Sequence, residues 1–306
     1  MSGTKKKRAD CTSTAFEPVA FDRDVKSVIV VFRFESVNAA KTAHELADWL
    51  KEKRKIKVYS HPQQKLLGVK KITPAQLKDI DLVIVLGGDG TYLSAVRMLD
   101  GQKIPILGIN MGSLGFLTEN RKEDLYTAVK MTLDKKMEMR PRAMIEVQVL
   151  RKGEVISSAQ ALNDVVLERG IFSQLISFTI LSEGHLVGHV KADGVVIATP
   201  TGSTAYNLAA GGPILHPHVR ALVVTPICPH SLTHRPIIFS DDHTLTFRMS
   251  KKKKRAYLTI DGRNCGRLQA GDEVTVTRAE CDHYVLRKPS QNYFELLREK
   301  LGFAER

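Results

Sequence analysis

Residues 81–91 read DLVIVLGGDGT. The run from Leu82 to Leu86 is apolar without a break, the composition of a strand buried on both faces and therefore covered by helices on either side. It ends in Gly87, Gly88, Asp89, Gly90 and Thr91, and Tyr92 to Leu99 continues as a helix. In an open α/β sheet this strand-to-helix edge is where ligands bind. Glycines there permit left-handed angles and close approach, and the amides of the helix start favour phosphate oxygens. Asp89 stands among those amides and repels anions. It reads either as a helix cap ahead of Thr91 or as a group with a chemical role, a proton acceptor or a metal contact.

Working outward, Ser27 to Phe32 is a second buried run, and Ala39 to Lys51 follows with helical spacing through Ala43, Leu46, Ala47 and Leu50. Ile56 to Tyr59 and Pro105 to Ile109 supply further strands, and 123–136 a further helix. Strands alternating with helices predict an α/β N-terminal domain over 25–140, a doubly wound, Rossmann-like parallel sheet. From Pro141 the texture changes. Short strands are expected at 143–150, 154–158, 161–167, 176–181, 185–190, 195–199, 221–225, 244–249, 256–260 and 273–277, which makes 141–289 an all-β C-terminal domain. Tyr293 to Leu301 returns to a helical pattern with Phe294, Leu297 and Leu301 on one side, so 290–306 is expected to pack back on the α/β domain. Residues 1–24 are polar and without periodicity, and read as a mobile extension.

The 306 residues, 43% of them hydrophobic, suffice for two cores. No window holds the roughly 20 apolar residues of a spanning helix, and Lys5 to Arg8 have no apolar stretch behind them, so a soluble, cytoplasmic protein is expected. Cys11, Cys228, Cys265 and Cys281 form no C-x-x-C pair or metal-ligand spacing and read as reduced thiols. A formal charge of +13 is compatible with nucleic acid, an anionic surface or phosphorylated small molecules. Its runs, at 5–8, 51–57 and 251–255, read as a tail, a solvated helix end and a hairpin tip. The first and last have no interleaved aromatics, so neither nucleic acid nor membrane is the expected partner.

The loop at 87–91 lacks the Lys-Ser/Thr end of a Walker A loop and is not G-x-G-x-x-G. It resembles the motif shared by NAD kinases, diacylglycerol and sphingosine kinases and, more distantly, phosphofructokinases. A second stretch separates these. Residues 193–214, DGVVIATPTGSTAYNLAAGGPI, lead a strand into a turn rich in hydroxyls and then a small-residue segment that a flat ligand can approach. The plainer reading is a turn and a packing surface, but the whole stretch closely resembles the NAD kinase signature. Blocks at 110–118, 163–167, 229–236, 261–263 and 294–303 agree in order, so the resemblance spans most of 27–303.

The resemblance implies transfer of the γ-phosphoryl of ATP to the 2′-hydroxyl of the adenosine ribose of NAD. Asp89 is then the proton acceptor, with Mg2+ or another divalent metal on the donor phosphates; the residues offer it no dedicated carboxylate cage beyond Asp89 and Asp164, so the nucleotide and water are its main expected ligands. It further implies NAD contacts at Gly90, Asn163, Asp164, Gln174, Lys191, Asp193, Thr204, Ala205, Tyr206, Asn207, Leu208, Ala209 and Arg263, with Arg263 standing where many bacterial relatives have Gln. A homodimer or homotetramer is expected on the same ground. The alternatives are a lipid kinase sharing the turn at 87–91, a non-catalytic dinucleotide sensor, and a nucleic-acid binder using the basic runs. The signature at 193–214 argues against the lipid kinase and the Asp in the turn against the sensor.

Overall fold

Parallel strands buried on both faces must send alternate side chains into two different cores, and they do so in the computed structural model, which describes residues 17–170, 174–250 and 256–302. Val28, Val30, Leu82, Ile84 and Leu86 pack with Ala43, Leu46 and Leu50 of helix Val37–Arg54 and with Val129 of helix Leu125–Leu133. Ile29, Val31, Val83 and Val85 point the other way, onto Tyr92, Ala95 and Leu99 of helix Asp89–Leu99. Strand Ser27–Phe32 lies between Lys57–Ser60 and Leu82–Leu86, both parallel to it, and Ile106–Asn110 continues the sheet beyond Leu82–Leu86. The chain thus winds first to one side of Ser27–Phe32 and then to the other. The reversal places the turn after Leu86 at the switch point where such sheets bind ligands.

The nine-stranded sheet is larger than the sequence suggested. Glu138–Arg142 straddles the expected boundary at 140/141, and His283–Arg287, expected in the β-rich part, pairs with it antiparallel and with Ile106 in parallel. Both strands carry buried polar residues, Arg142, His283 and Arg287, which break the apolar pattern by which buried strands are recognised. Val19–Ala20 pairs with Glu138 and Met139, and Phe21 is wholly buried, so these residues belong to the fold and not to a loose extension. Residues 1–16, including Cys11 and the run at 5–8, and the run at 251–255, expected to be a hairpin tip, lie outside the described residues.

The remainder forms two six-stranded antiparallel sheets around a shared core. Strands such as Ile145–Arg151 and Ile176–Ser182 alternate buried and half-buried residues. Asp164–Glu168 and Gly194–Ala198 are buried almost throughout, because Val166, Val196 and Ala198 also pack against Ala210 and Ile227 on their outer face. Two further strands, Ile237–Ser240 and Arg263–Leu268, form the edges of that sheet. Helix Tyr293–Leu301 buries Tyr293, Leu296 and Leu297, not the expected trio. Phe294 and Leu301 are 55% and 40% exposed. The helix does return to the first sheet's side, pairing Glu299 with Arg121 and setting Lys300 over Phe116. Among the described residues no helix is long and apolar enough to cross a membrane, and Cys228, Cys265 and Cys281 are free thiols.

Candidate active site

The helix after Leu86 starts at Asp89 itself, three residues earlier than its apolar pattern suggested, with Gly88 as N-cap. None of Gly87, Gly88 and Gly90 adopts a positive φ, so left-handed backbone is not why glycine is used here. Gly87 is required by contact: a Cβ would lie 2.4 Å from Thr91 Oγ1. At Gly88 and Gly90 a Cβ would meet nothing within 4 Å, which leaves bare backbone open to a ligand.

Asp89 is held by the loop 112–118. Its Oδ2 accepts the Phe116 amide at 2.9 Å. Its Oδ1 accepts the amides of Leu117 and Thr118 and the Thr118 hydroxyl, at 3.1, 3.2 and 3.1 Å. Asn110 Nδ2, buried, donates to the same hydroxyl at 2.9 Å and so turns its proton toward the carboxylate. Gly115 makes this approach possible, since a Cβ there would fall 2.0 Å from Oδ1. A carboxylate oxygen offers about two lone-pair sites. Oδ1 is therefore saturated while Oδ2 retains room for one more hydrogen.

The second half of the site is built on Asp261, to which the sequence reading assigned no role. In the turn between strands Ala256–Ile260 and Arg263–Leu268, at φ 45°, it accepts the amides of Leu162, Asn163 and Asp164 at 2.9, 2.8 and 3.1 Å. Its own amide donates to the Asp164 carbonyl at 3.0 Å. The Asn163 carbonyl accepts the Thr199 amide at 2.9 Å and presses on Gly202, where a Cβ would clash at 2.0 Å. Three loops are thereby locked together. Arg97, from the helix that carries Asp89, reaches across to the Asp261 carbonyl at 3.5 Å.

These loops and that helix enclose a cavity of about 520 Å³ lined by Gly90, Arg97, Asn163, Asp164, Tyr206 and Asp261, with Ala205 beside them. Asp89 is one residue from its wall. Burial, and secondarily the Asp261 charge, push the Asp164 carboxyl up to about 7, against the Tyr206 backbone amide that favours its charge. Burial also raises Asp261, opposed by its three amide donors and by Arg97.

Other residues implicated by the sequence stand elsewhere. Asp193 pairs with Arg169 at 2.7 Å, Lys191 is exposed, and the Thr204 hydroxyl donates to the Thr201 carbonyl at 3.3 Å. Asn207 is buried: its amide nitrogen donates to Ser203 and Pro213 carbonyls, both at 3.0 Å, and its oxygen accepts from Thr225 at 2.7 Å. Its side chain braces the turn instead of facing the cavity. Leu208, Ala209, Gln174 and Arg263 do not line the cavity either.

The chain is 51% identical to an NAD kinase of Bdellovibrio bacteriovorus over 282 residues, covering 92% of this chain and 93% of that one. The chain belongs to the NAD kinase family. The ATP-NAD kinase N-terminal domain matches residues 28–137 and the ATP-NAD kinase C-terminal domain residues 162–288. An NAD kinase of Geobacter sulfurreducens is 40% identical over 92% of this chain and 100% of its own. Among solved structures, yeast NADH kinase complexed with NADH superposes with TM-score 0.86 at 26% identity, covering 95% of this chain and 93% of that one. An Archaeoglobus fulgidus NAD kinase in complex with ATP shares the fold, with TM-score 0.69 at 23% identity over 89% of this chain and 98% of that one. Membership makes the chain an NAD kinase-type enzyme and answers the choice left by the turn at 87–91 against a lipid kinase.

Proposed function

We propose that this enzyme transfers the γ-phosphoryl group of ATP to the 2′-hydroxyl of the adenosine ribose of NAD, giving NADP and ADP, with Asp89 as general base. The observation that carries the base assignment is the unequal loading of its two oxygens. Oδ1 is fully occupied and Oδ2 accepts only the Phe116 amide, beside the bare backbone of Gly90 on the cavity wall. The 2′-hydroxyl proton passes to Oδ2 as the 2′-oxygen bonds to the γ-phosphorus and the bond to the β,γ-bridging oxygen breaks.

Asn163 and Asp164 are the polar partners for the ribose and adenine end, and the half-exposed Tyr206 ring offers a stacking face. Phosphoryl transfer is mostly positioning and charge neutralisation, so a preordered base and locked loops suit it. A divalent cation, Mg2+ in this reading, would supply charge neutralisation for the donor phosphates. Among the described residues no three His, Cys, Asp or Glu side chains gather to hold one.

A homo-oligomer is part of the same reading. It is supported by the open edge strand Ile237–Ser240, where Ile237 and Ile238 are 41% and 52% exposed. A cytoplasmic setting accords with the unpaired thiols.

Asp89→Asn is the direct test of the base. NADP formation should fall by roughly 10²–10⁴-fold while NAD binding persists; turnover near wild type in a variant that still binds NAD would sink the assignment. A matrix of ATP, other triphosphates and polyphosphate against NAD and NADH, scored for phosphorylated dinucleotide, defines the donor and acceptor range.

A further inference from the structure

A second cavity, of about 300 Å³, has no part in the chemistry above. It forms where Glu138–Arg142, the turn 216–218 and the residues leading into helix Tyr293–Leu301 meet, and its walls include Arg140, Arg142, Arg287, His216 and His218. The arginines share one face of two neighbouring strands of the large sheet: Arg140 stands opposite Val285, Arg142 opposite His283, and Arg287 opposite Glu138. Arg287 is paired with Glu119, and Arg140 with Glu138 at 3.3 Å.

Arg142 differs. It is only 2% exposed, makes one hydrogen bond, to the Pro141 carbonyl at 2.9 Å, and has no carboxylate in ion-pair range among the described residues. A buried guanidinium without a counter-charge is strongly unfavourable. Its five donors in a fixed fork match the oxygens of a phosphoryl group. Two neighbours reinforce the sign. The Nε of Arg287 is buried without a partner, and residues 289–292 bring the start of a nine-residue helix, capped by Asn292, to the cavity rim. Burial and the Arg142 charge hold His216 and His218 below the ordinary imidazole value, His218 down to about 4, so the arginines provide the positive charge.

We propose that this cavity is an anion site, separate from the dinucleotide cleft, in which Arg142 binds a small phosphate-class oxyanion of one or two phosphoryl groups. Inorganic phosphate and pyrophosphate present the same chemistry and differ in length, and the site reads Arg142 and Arg140 against one phosphoryl group in either case.

The test uses the full chain in phosphate-free buffer with ionic strength held by chloride. Thermal midpoints are measured against low-millimolar inorganic phosphate and, separately, pyrophosphate, with and without saturating NAD. Wild type should gain stability with at least one anion whether or not NAD is present, and the stronger arm identifies the natural length. Arg142→Met should lose that response and, with its unpaired charge gone, melt no lower than wild type in the anion-free buffer. Arg140→Gln should weaken the anion roughly ten-fold, as loss of one charge-assisted hydrogen bond predicts. Equal responses in wild type and Arg142→Met, a response abolished by NAD, or an anion-free midpoint lowered by Arg142→Met would each overturn the proposal.

Discussion

Thr118 makes the clearest case at the residue scale. Its hydroxyl accepts from Asn110 and donates to Asp89, and the residue is wholly buried, so it orders the base from behind. Thr118→Val keeps the shape and removes both bonds. We expect kcat to fall by roughly 10–100-fold with KM for NAD little changed, since loss of one bond to a charged group is worth roughly 1.5–3 kcal/mol; a rise in KM at constant kcat would show that Thr118 serves binding instead. Asp164 gives a pH signature. Its folded pKa, about 7, lies above its ordinary value of 3.8, so the native state holds a proton that the unfolded chain has lost. Native stability therefore declines as pH rises from about 4 to about 7 and then levels off. Asp164→Asn removes this component. Relative to wild type, the variant should be more stable at pH 8 than at pH 5, by an order of a few kcal/mol, and parallel stability–pH curves for the two proteins would refute the shift. The sequence pointed to Asp89 because a carboxylate among glycines is conspicuous locally. It gave no such sign for Asp261, whose three amide donors arrive from 97–99 positions away.

At the scale of elements, the junction between strand Leu82–Leu86 and helix Asp89–Leu99 has no room for a side chain at Gly87. Gly87→Ala places a methyl 2.4–3.0 Å from three atoms of the Thr91 side chain. Overpacking of this kind costs about 1–3 kcal/mol, and Thr91→Gly in the same chain, which removes all three of those atoms, should return much of it beyond glycine's own cost of about 1 kcal/mol in a helix. Chemical denaturation of the single and double variants checks both, and an additive double variant would mean that the clash is not the cause. Strands with uniform or alternating apolar patterns were legible, as were the helices with i, i+3, i+4 spacing. Glu138–Arg142 and His283–Arg287 were not. Their buried positions carry Arg142, Arg287 and His283, of which Arg287 and His283 find their partners, Glu119 and the Tyr92 hydroxyl, only in three dimensions.

For the whole molecule, the open edge at Ile237–Ser240 bears on assembly. Ile238→Lys should shift the protein toward smaller species in light scattering without lowering its thermal midpoint at high dilution, whereas an unchanged mass would remove this edge from any interface. The layered plan and the order of parts followed from sequence alone. Alternating apolar runs and helical spacing impose a doubly covered parallel sheet, and the motifs at 87–91 and 193–214 select the enzyme family. Those are local properties, written in consecutive residues. Tertiary structure decided which oxygen of Asp89 is open, that Asp261 locks the cleft, that Asn207 is a brace, and that Arg142 is buried without a counter-charge. Each of these depends on burial and on hydrogen bonds made or withheld once the chain has folded. Such energies exist only once the sheets have closed around them, so no reading of neighbours along the sequence contains them.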